Sequence, residues 1–91
     1  MIAPELMRQR LDICAAMHQS PVVGLYDLHA WVGLPRSKWM LFLRTLDADW
    51  KPQGTFFAGN TLHMYTIAAL DWLQRLTAEF PEQFGVGEQQ P

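Results

Sequence analysis

Between Trp39 and Leu46 the apolar side chains Trp39, Phe42, Leu43 and Leu46 recur at i, i+3, i+4 and i+7, the spacing of a helix with one face turned inward. It is the clearest amphipathic stripe in the chain. Pro35 suits a first helical turn, so a helix is predicted over residues 35–46. At about 100° per residue, Ser37, Leu41 and Arg44 point almost opposite the stripe, with Lys38, Met40 and Thr45 on its flanks. These residues are what the helix offers to a partner.

Upstream, Leu25, Leu28, Trp31 and Val32 keep helical spacing as far as Gly33, whose backbone freedom suits a tight helix-to-helix turn. A first helix is predicted from Pro4 to about His18. Met7, Leu11, Cys14 and Ala15 form its stripe, and Leu6, Ile13 and Met17 widen it toward a second face. Val22-Val23 is a β-branched pair, long enough for a short strand.

Downstream, Gly59-Asn60 joins Thr55-Phe56-Phe57-Ala58 to the run Thr61 to Ile67, a two-residue hairpin signal because both turn residues tolerate positive φ. A last helix is predicted from about Ala68 to Phe80, carrying Ala69, Leu70, Trp72, Leu73 and Leu76 before Pro81 stops it. The reading is therefore an α+β fold, mainly α. One domain is expected over residues 4–80, with 81–91 as a mobile tail.

Composition narrows the function classes. The chain has 91 residues, four of them tryptophan, enough for one modest core. A core that small leaves apolar helix faces for a second copy to cover, so a homodimer is expected. Cys14 is the only cysteine, which excludes an intramolecular disulfide and a cysteine-built zinc site within one chain. His18, His29 and His63 share no metal-ligand spacing. Cys14 and His18 stand at i, i+4 and supply two ligands at most, an incomplete site. No nucleophile–base set, phosphate loop or carboxylate pair can be assembled, so neither catalysis nor a cofactor or metal is expected. With no basic leader and no apolar run of about 20 residues, the chain is read as cytoplasmic and independent of membranes.

The net charge is −2, but its distribution is uneven. Arg36, Lys38, Arg44 and Lys51 outnumber Asp47 and Asp49 over residues 36–51, and every charge after residue 78 is acidic. Four cations neutralise at most about four phosphates, giving a log–log salt slope near −3.6.

Helix, short strand, helix, glycine turn, helix and hairpin, in that order, resembles the winged helix-turn-helix DNA-binding domain of IclR-like and MarR-like bacterial regulators. The resemblance covers about residues 5–67 and is most specific at Leu28, Val32, Gly33-Leu34-Pro35-Arg36-Ser37, Trp39, Phe42-Leu43 and Leu46. It implies a three-helix core with a short strand, a β-hairpin wing, and here an additional C-terminal helix. It implies further that residues 35–46 enter the major groove of double-stranded DNA and that the wing, residues 56–65, lies beside it. The implied function is transcription regulation. The DNA-binding residues expected on this basis are Arg36, Ser37, Lys38, Met40, Leu41, Arg44, Lys51 and His63.

Two readings of the last helix stay open: Leu70, Trp72, Leu73 and Leu76 form the dimer interface, or they close the core of a single chain. The exposed pair Met40 and Leu41 also fits a different function, since apolar residues on an outer helix face commonly mark a protein contact. On that alternative the chain is an adaptor in a replication, phage-related or regulatory complex and touches no DNA. Phe56, Phe57 and Tyr65 have the chemistry to stack on single-stranded bases, but a hairpin lying on a core needs such residues, and core is the preferred reading.

Overall fold

Pro4, without an N–H to lose, opens α1 (Pro4–His18) in the computed structural model, which describes residues 3–85. Met7 and Leu11 are its buried residues. The helix ends at Gln19, which takes a left-handed conformation at φ 58°. Strand β1 (Val22–Gly24) follows. A 3₁₀ turn at Tyr26–Leu28 then runs straight into α2 (His29–Val32).

Gly33 terminates α2 at φ 76°. His29 holds the turn from inside: its carbonyl accepts from the Gly33 and Leu34 N–H groups, and its Nδ1 lies 2.9 Å from the Leu34 carbonyl. Arg10 of α1 caps the same helix end, Nε donating to the Trp31 carbonyl at 3.0 Å and Nη2 to that of Ala30 at 3.4 Å. A Cβ on Gly33 would come within 2.9 Å of Arg10 Nη2. Gly33→Ala is therefore expected to lower stability by about 2 kcal/mol, combining left-handed strain with displacement of the cap. A urea midpoint unchanged from the parent would reject that account.

Helix α3 (Arg36–Thr45) is one residue shorter at each end than the spacing predicts. Pro35 is extended at ψ 145° and lends its carbonyl to the Trp39 N–H, which makes it the cap rather than the first residue. At the far end the Thr45 hydroxyl donates to the Phe42 carbonyl at 2.8 Å, and Leu46 leaves the helix extended while staying buried. The inward stripe is as predicted: Trp39, Phe42 and Leu46 are buried and Leu43 is half-buried.

After a second 3₁₀ turn at Ala48–Trp50, β2 (Phe56–Ala58) and β3 (Thr61–Tyr65) form the Gly59-Asn60 hairpin, with Phe56 opposite His63 and Phe57 opposite Leu62. The sheet is three-stranded and antiparallel in the order β1-β3-β2, Val23 pairing with Met64. Ile67 does not continue β3, as the sequence reading had it. The Thr66 N–H and hydroxyl donate to the carbonyls of Pro21 and Ser20 at 2.8 and 2.7 Å, turning the chain into α4 (Thr66–Glu79) two residues early.

Pro81 ends α4 without releasing the chain. Residues Pro81–Phe84 make a 3₁₀ turn that returns Phe84 to the core, 5.1 Å from Phe42 and 6.3 Å from Trp39 between ring centroids. The expected tail beginning at 81 is corrected accordingly: the domain includes Phe84, because the aromatic cluster around Trp39 is open without it. The remainder of that tail, residues 86–91, lies outside the described residues. Among the described residues no helix is long and apolar enough to cross a membrane.

Candidate nucleic-acid interface

The residues opposite the buried stripe of α3 are free. Ser37, Lys38, Leu41, Arg44 and Thr45 are all exposed, Leu41 to 58%. No aspartate or glutamate occurs between Leu28 and Leu46, and the hairpin segment 55–65 carries none either. Arg36 lies 3.6 Å from Asp27 and 6.0 Å from the centre of the Tyr26 ring. Both charged side chains are more than half exposed, so this pair is a weak tether rather than a source of stability.

The first turn of α3 holds Arg36 and Lys38, has no acidic residue and makes no side-chain cap. Cations at the positive end of a helix dipole are unfavourable, and the uncapped N–H groups there remain open to an acceptor. An anion delivered to this end would relieve both. At the opposite end Lys51 Nζ donates to the Leu43 carbonyl at 3.5 Å, where a cation complements the dipole. Glu82 of the last turn shares a shallow groove with Lys38, Leu41 and Thr45. Toward the hairpin, no acid lines the space beside Met40, Leu43 and Arg44, and Asp27 meets only Arg36 at the first turn.

Two expected members of the site are placed differently. Met40 is half-buried, because it forms a wall of a cleft between α3 and the hairpin together with Leu43 and Leu62. His63 is on the far face of the sheet. Leu62 and Met64 face the helices, so alternation along β3 sends His63 and Tyr65 the other way. There His63 stacks with Phe56 at 6.3 Å, and its Nδ1 lies 3.0 Å from the Thr61 carbonyl. It does not join the cations of α3.

The same alternation corrects the reading of the hairpin aromatics as core. Phe57 is 70% exposed and projects on the side of its partner Leu62, which is the side of α3. Tyr65 is exposed and Phe56 half-buried, 5.5 Å apart on the open face. Met64 alone in the hairpin is fully inside. Phe57 is the one residue near α3 that the sequence reading missed as a surface feature, and its pairing with Leu62 is the signal that locates it.

The expected dimer contacts do not stand as a set. Trp72, Leu73 and Leu76 are buried within one chain, Trp72 Nε1 donating to the Trp50 carbonyl at 2.9 Å. Only Leu70 reaches the surface, in a shallow groove shared with Ala15, Ala16, Pro21, Tyr65 and Ile67. Ile67 is 81% and nearby Met17 75% exposed. Cys14 and His18 do not form a ligand pair directed at a common point. Cys14 packs partly buried against the core, while the His18 ring lies edge-on to Trp31 with Nε2 3.0 Å from the Val22 carbonyl. No group of three or more potential metal ligands occurs among the described residues.

Compared with known proteins, the chain matches no family model, no curated protein and no solved structure.

Proposed function

We propose that the chain is a small winged helix-turn-helix protein that binds double-stranded DNA as a transcriptional regulator, presenting α3 to the major groove and the β2–β3 hairpin to its side. The observation that carries this reading is the exposed face of α3, where Ser37, Lys38, Leu41 and Arg44 project from a helix free of carboxylates. The element order and the sheet order β1-β3-β2 support it. So does the cationic, uncapped first turn, whose electrostatic cost a DNA phosphate offsets. Arg44 has the fork to pair with guanine and Leu41 the methyl groups to meet thymine. Lys51 supplies a backbone contact.

Titrating a labelled random duplex at several salt concentrations tests this directly. A log–log slope near −3.6 per chain is expected from about four phosphate contacts. No detectable binding at low salt would end the DNA reading.

Affinity from so few contacts calls for two copies whose α3 helices stand about 34 Å apart. We place the second copy on the groove at Ala16 and Ile67 rather than on Trp72, Leu73 and Leu76, since those three are already occupied within the monomer. Sedimentation is expected to give twice the chain mass, and the double variant A16E/I67E to give the monomer. A parent that sediments as one chain would refute the dimer.

Leu41 and Phe57, both exposed, favour a second reading, an adaptor that holds a protein through apolar side chains. Its signature is partner binding that survives high salt.

A further inference from the structure

Arg10 is half-buried on α1, and no carboxylate meets it: among the described residues the ion pairs are Arg36 with Asp27 and Arg75 with Asp71. Its guanidinium serves the backbone instead. Nε and Nη2 donate to the carbonyls of Trp31 and Ala30, and the group lies on Gly33, with Cζ and Nη1 each 3.2 Å from where a Cβ would stand. Those carbonyls form the open end of α2, because the N–H groups of Gly33 and Leu34 both go to His29. A helix of four residues takes its direction from what holds it. Two donors in one rigid plane fix both the distance and the rotation of α2 against α1, which a point donor such as lysine does not. On the other side of the turn the His29 ring ties the Leu34 carbonyl at 2.9 Å, and α3 follows directly from Pro35. The path from Trp31 into α3 is therefore held on both sides.

We propose that Arg10 is a positioning residue: through the end of α2 and the Gly33 turn it sets the tilt of α3, and thereby where Lys38, Leu41 and Arg44 stand relative to α1. Trp39 and Phe42 anchor α3 in the core, but apolar burial is not directional, so the tilt about that anchor is left to the turn. The same α1 carries Ala16, about 9 Å further along the helix, in the groove where the second copy is placed. One side chain thus links the helix at the dimer groove to the helix at the duplex, and it governs the spacing between two α3 helices. The consequence for DNA rests on the proposed function. The orientation itself belongs to the free protein and is measured there.

The test compares the parent with R10K and R10Q, each first shown to fold by its urea transition. In weakly aligned ¹⁵N-labelled R10K, the residual dipolar couplings of α3 are expected to stay consistent among themselves but to depart from the parent orientation relative to α1. Couplings that still fit the parent geometry would overturn the proposal. So would an Arg10 Nε–H in the parent that exchanges with water as fast as that of exposed Arg8, a check that needs no variant. On a labelled duplex, the parent slope near −3.6 per chain is expected to shrink by about 0.9 or more in both variants, as the tilt takes α3 cations off their phosphates. A slope lost in R10Q and kept in R10K would make Arg10 a phosphate contact instead. An affinity lowered at unchanged slope in both would reduce it to a source of stability, since a smaller folded fraction scales binding equally at every salt concentration. Either result would refute positioning. A parent that binds no duplex would end the DNA reading alone and leave the couplings to decide.

Discussion

Replacing Trp39 with alanine is expected to cost about 3–5 kcal/mol, a large share of the stability of a domain this size. Trp39 is the fully buried centre of the aromatic cluster, with ring centroids 6.1 Å from Phe42, 5.8 Å from Trp72 and 6.3 Å from Phe84. Truncation removes the shared surface of three elements at once: α3, α4 and the turn that carries Phe84. It also takes the indole donor from the Leu25 carbonyl, which keeps only the longer bond from the Leu28 N–H at 3.4 Å, a loss of about 1 kcal/mol. At about 0.05–0.15 kcal/mol per residue, or about 5–14 kcal/mol in all, a chain of 91 residues is expected to unfold at a much lower urea concentration after that loss. Urea unfolding and near-ultraviolet circular dichroism provide the measurement. Trp39→Phe keeps most of the ring contacts and loses the hydrogen bond, so its midpoint is expected between those of the parent and the alanine variant. If alanine unfolds no earlier than phenylalanine, the cluster is not what holds the three elements together.

What could be read from the sequence was local chemistry. Gly33 and Gly59 both take positive φ, at 76° and 66°, and each sits where a turn was written as glycine beside a change of period. The inward stripe of α3 was legible because one face is apolar and the opposite face is not. The hairpin was different. Leu62 and Met64 alternate with Phe56, His63 and Tyr65 across the pair, so both faces look apolar and period two cannot choose between them. Pairing of Val23 with Met64 decides it, and that contact joins residues far apart in sequence. For this reason His63 was counted among the DNA-binding residues without a face being assigned to it.

The last helix was left between two readings on similar grounds. Ala69, Trp72, Leu73 and Leu76 line one face while Ile67 and Leu70 lie outside it, and a helix apolar over so wide an arc gives no ground for choosing which part meets a second copy. The packing of α1 against α4 is settled by tertiary structure alone, as is the role of Arg10, whose guanidinium caps a helix 20 positions further on. Pro81 misled because proline ends a helix locally and says nothing about a ring three residues later. The void beside Trp39 and Phe42, which attracts Phe84, exists only once α3 and α4 have met.

The triple variant R36Q/K38Q/R44Q is expected to lose duplex binding by roughly 500-fold for each bound chain at about 0.1 M salt, since each contact removed takes about 0.9 from the log–log slope and this contribution vanishes near 1 M. The residual slope should fall to about −0.9 per chain, the share of Lys51. All three side chains are exposed, and the one ion pair among them, Arg36 with Asp27, is solvent-screened, so the fold is expected to survive. The control is R8Q/R75Q, which removes cations from α1 and α4; Arg8 borders a different groove, and Arg75 already pairs with Asp71 at 3.3 Å. If overall charge governed binding, the control would weaken it in proportion. If the face of α3 governs it, the control leaves affinity and slope within about two-fold of the parent, and the loss stays confined to Arg36, Lys38 and Arg44. A slope unchanged in the triple variant would move the phosphate contacts off α3 altogether, and with them the reason for reading that helix as the one in the groove.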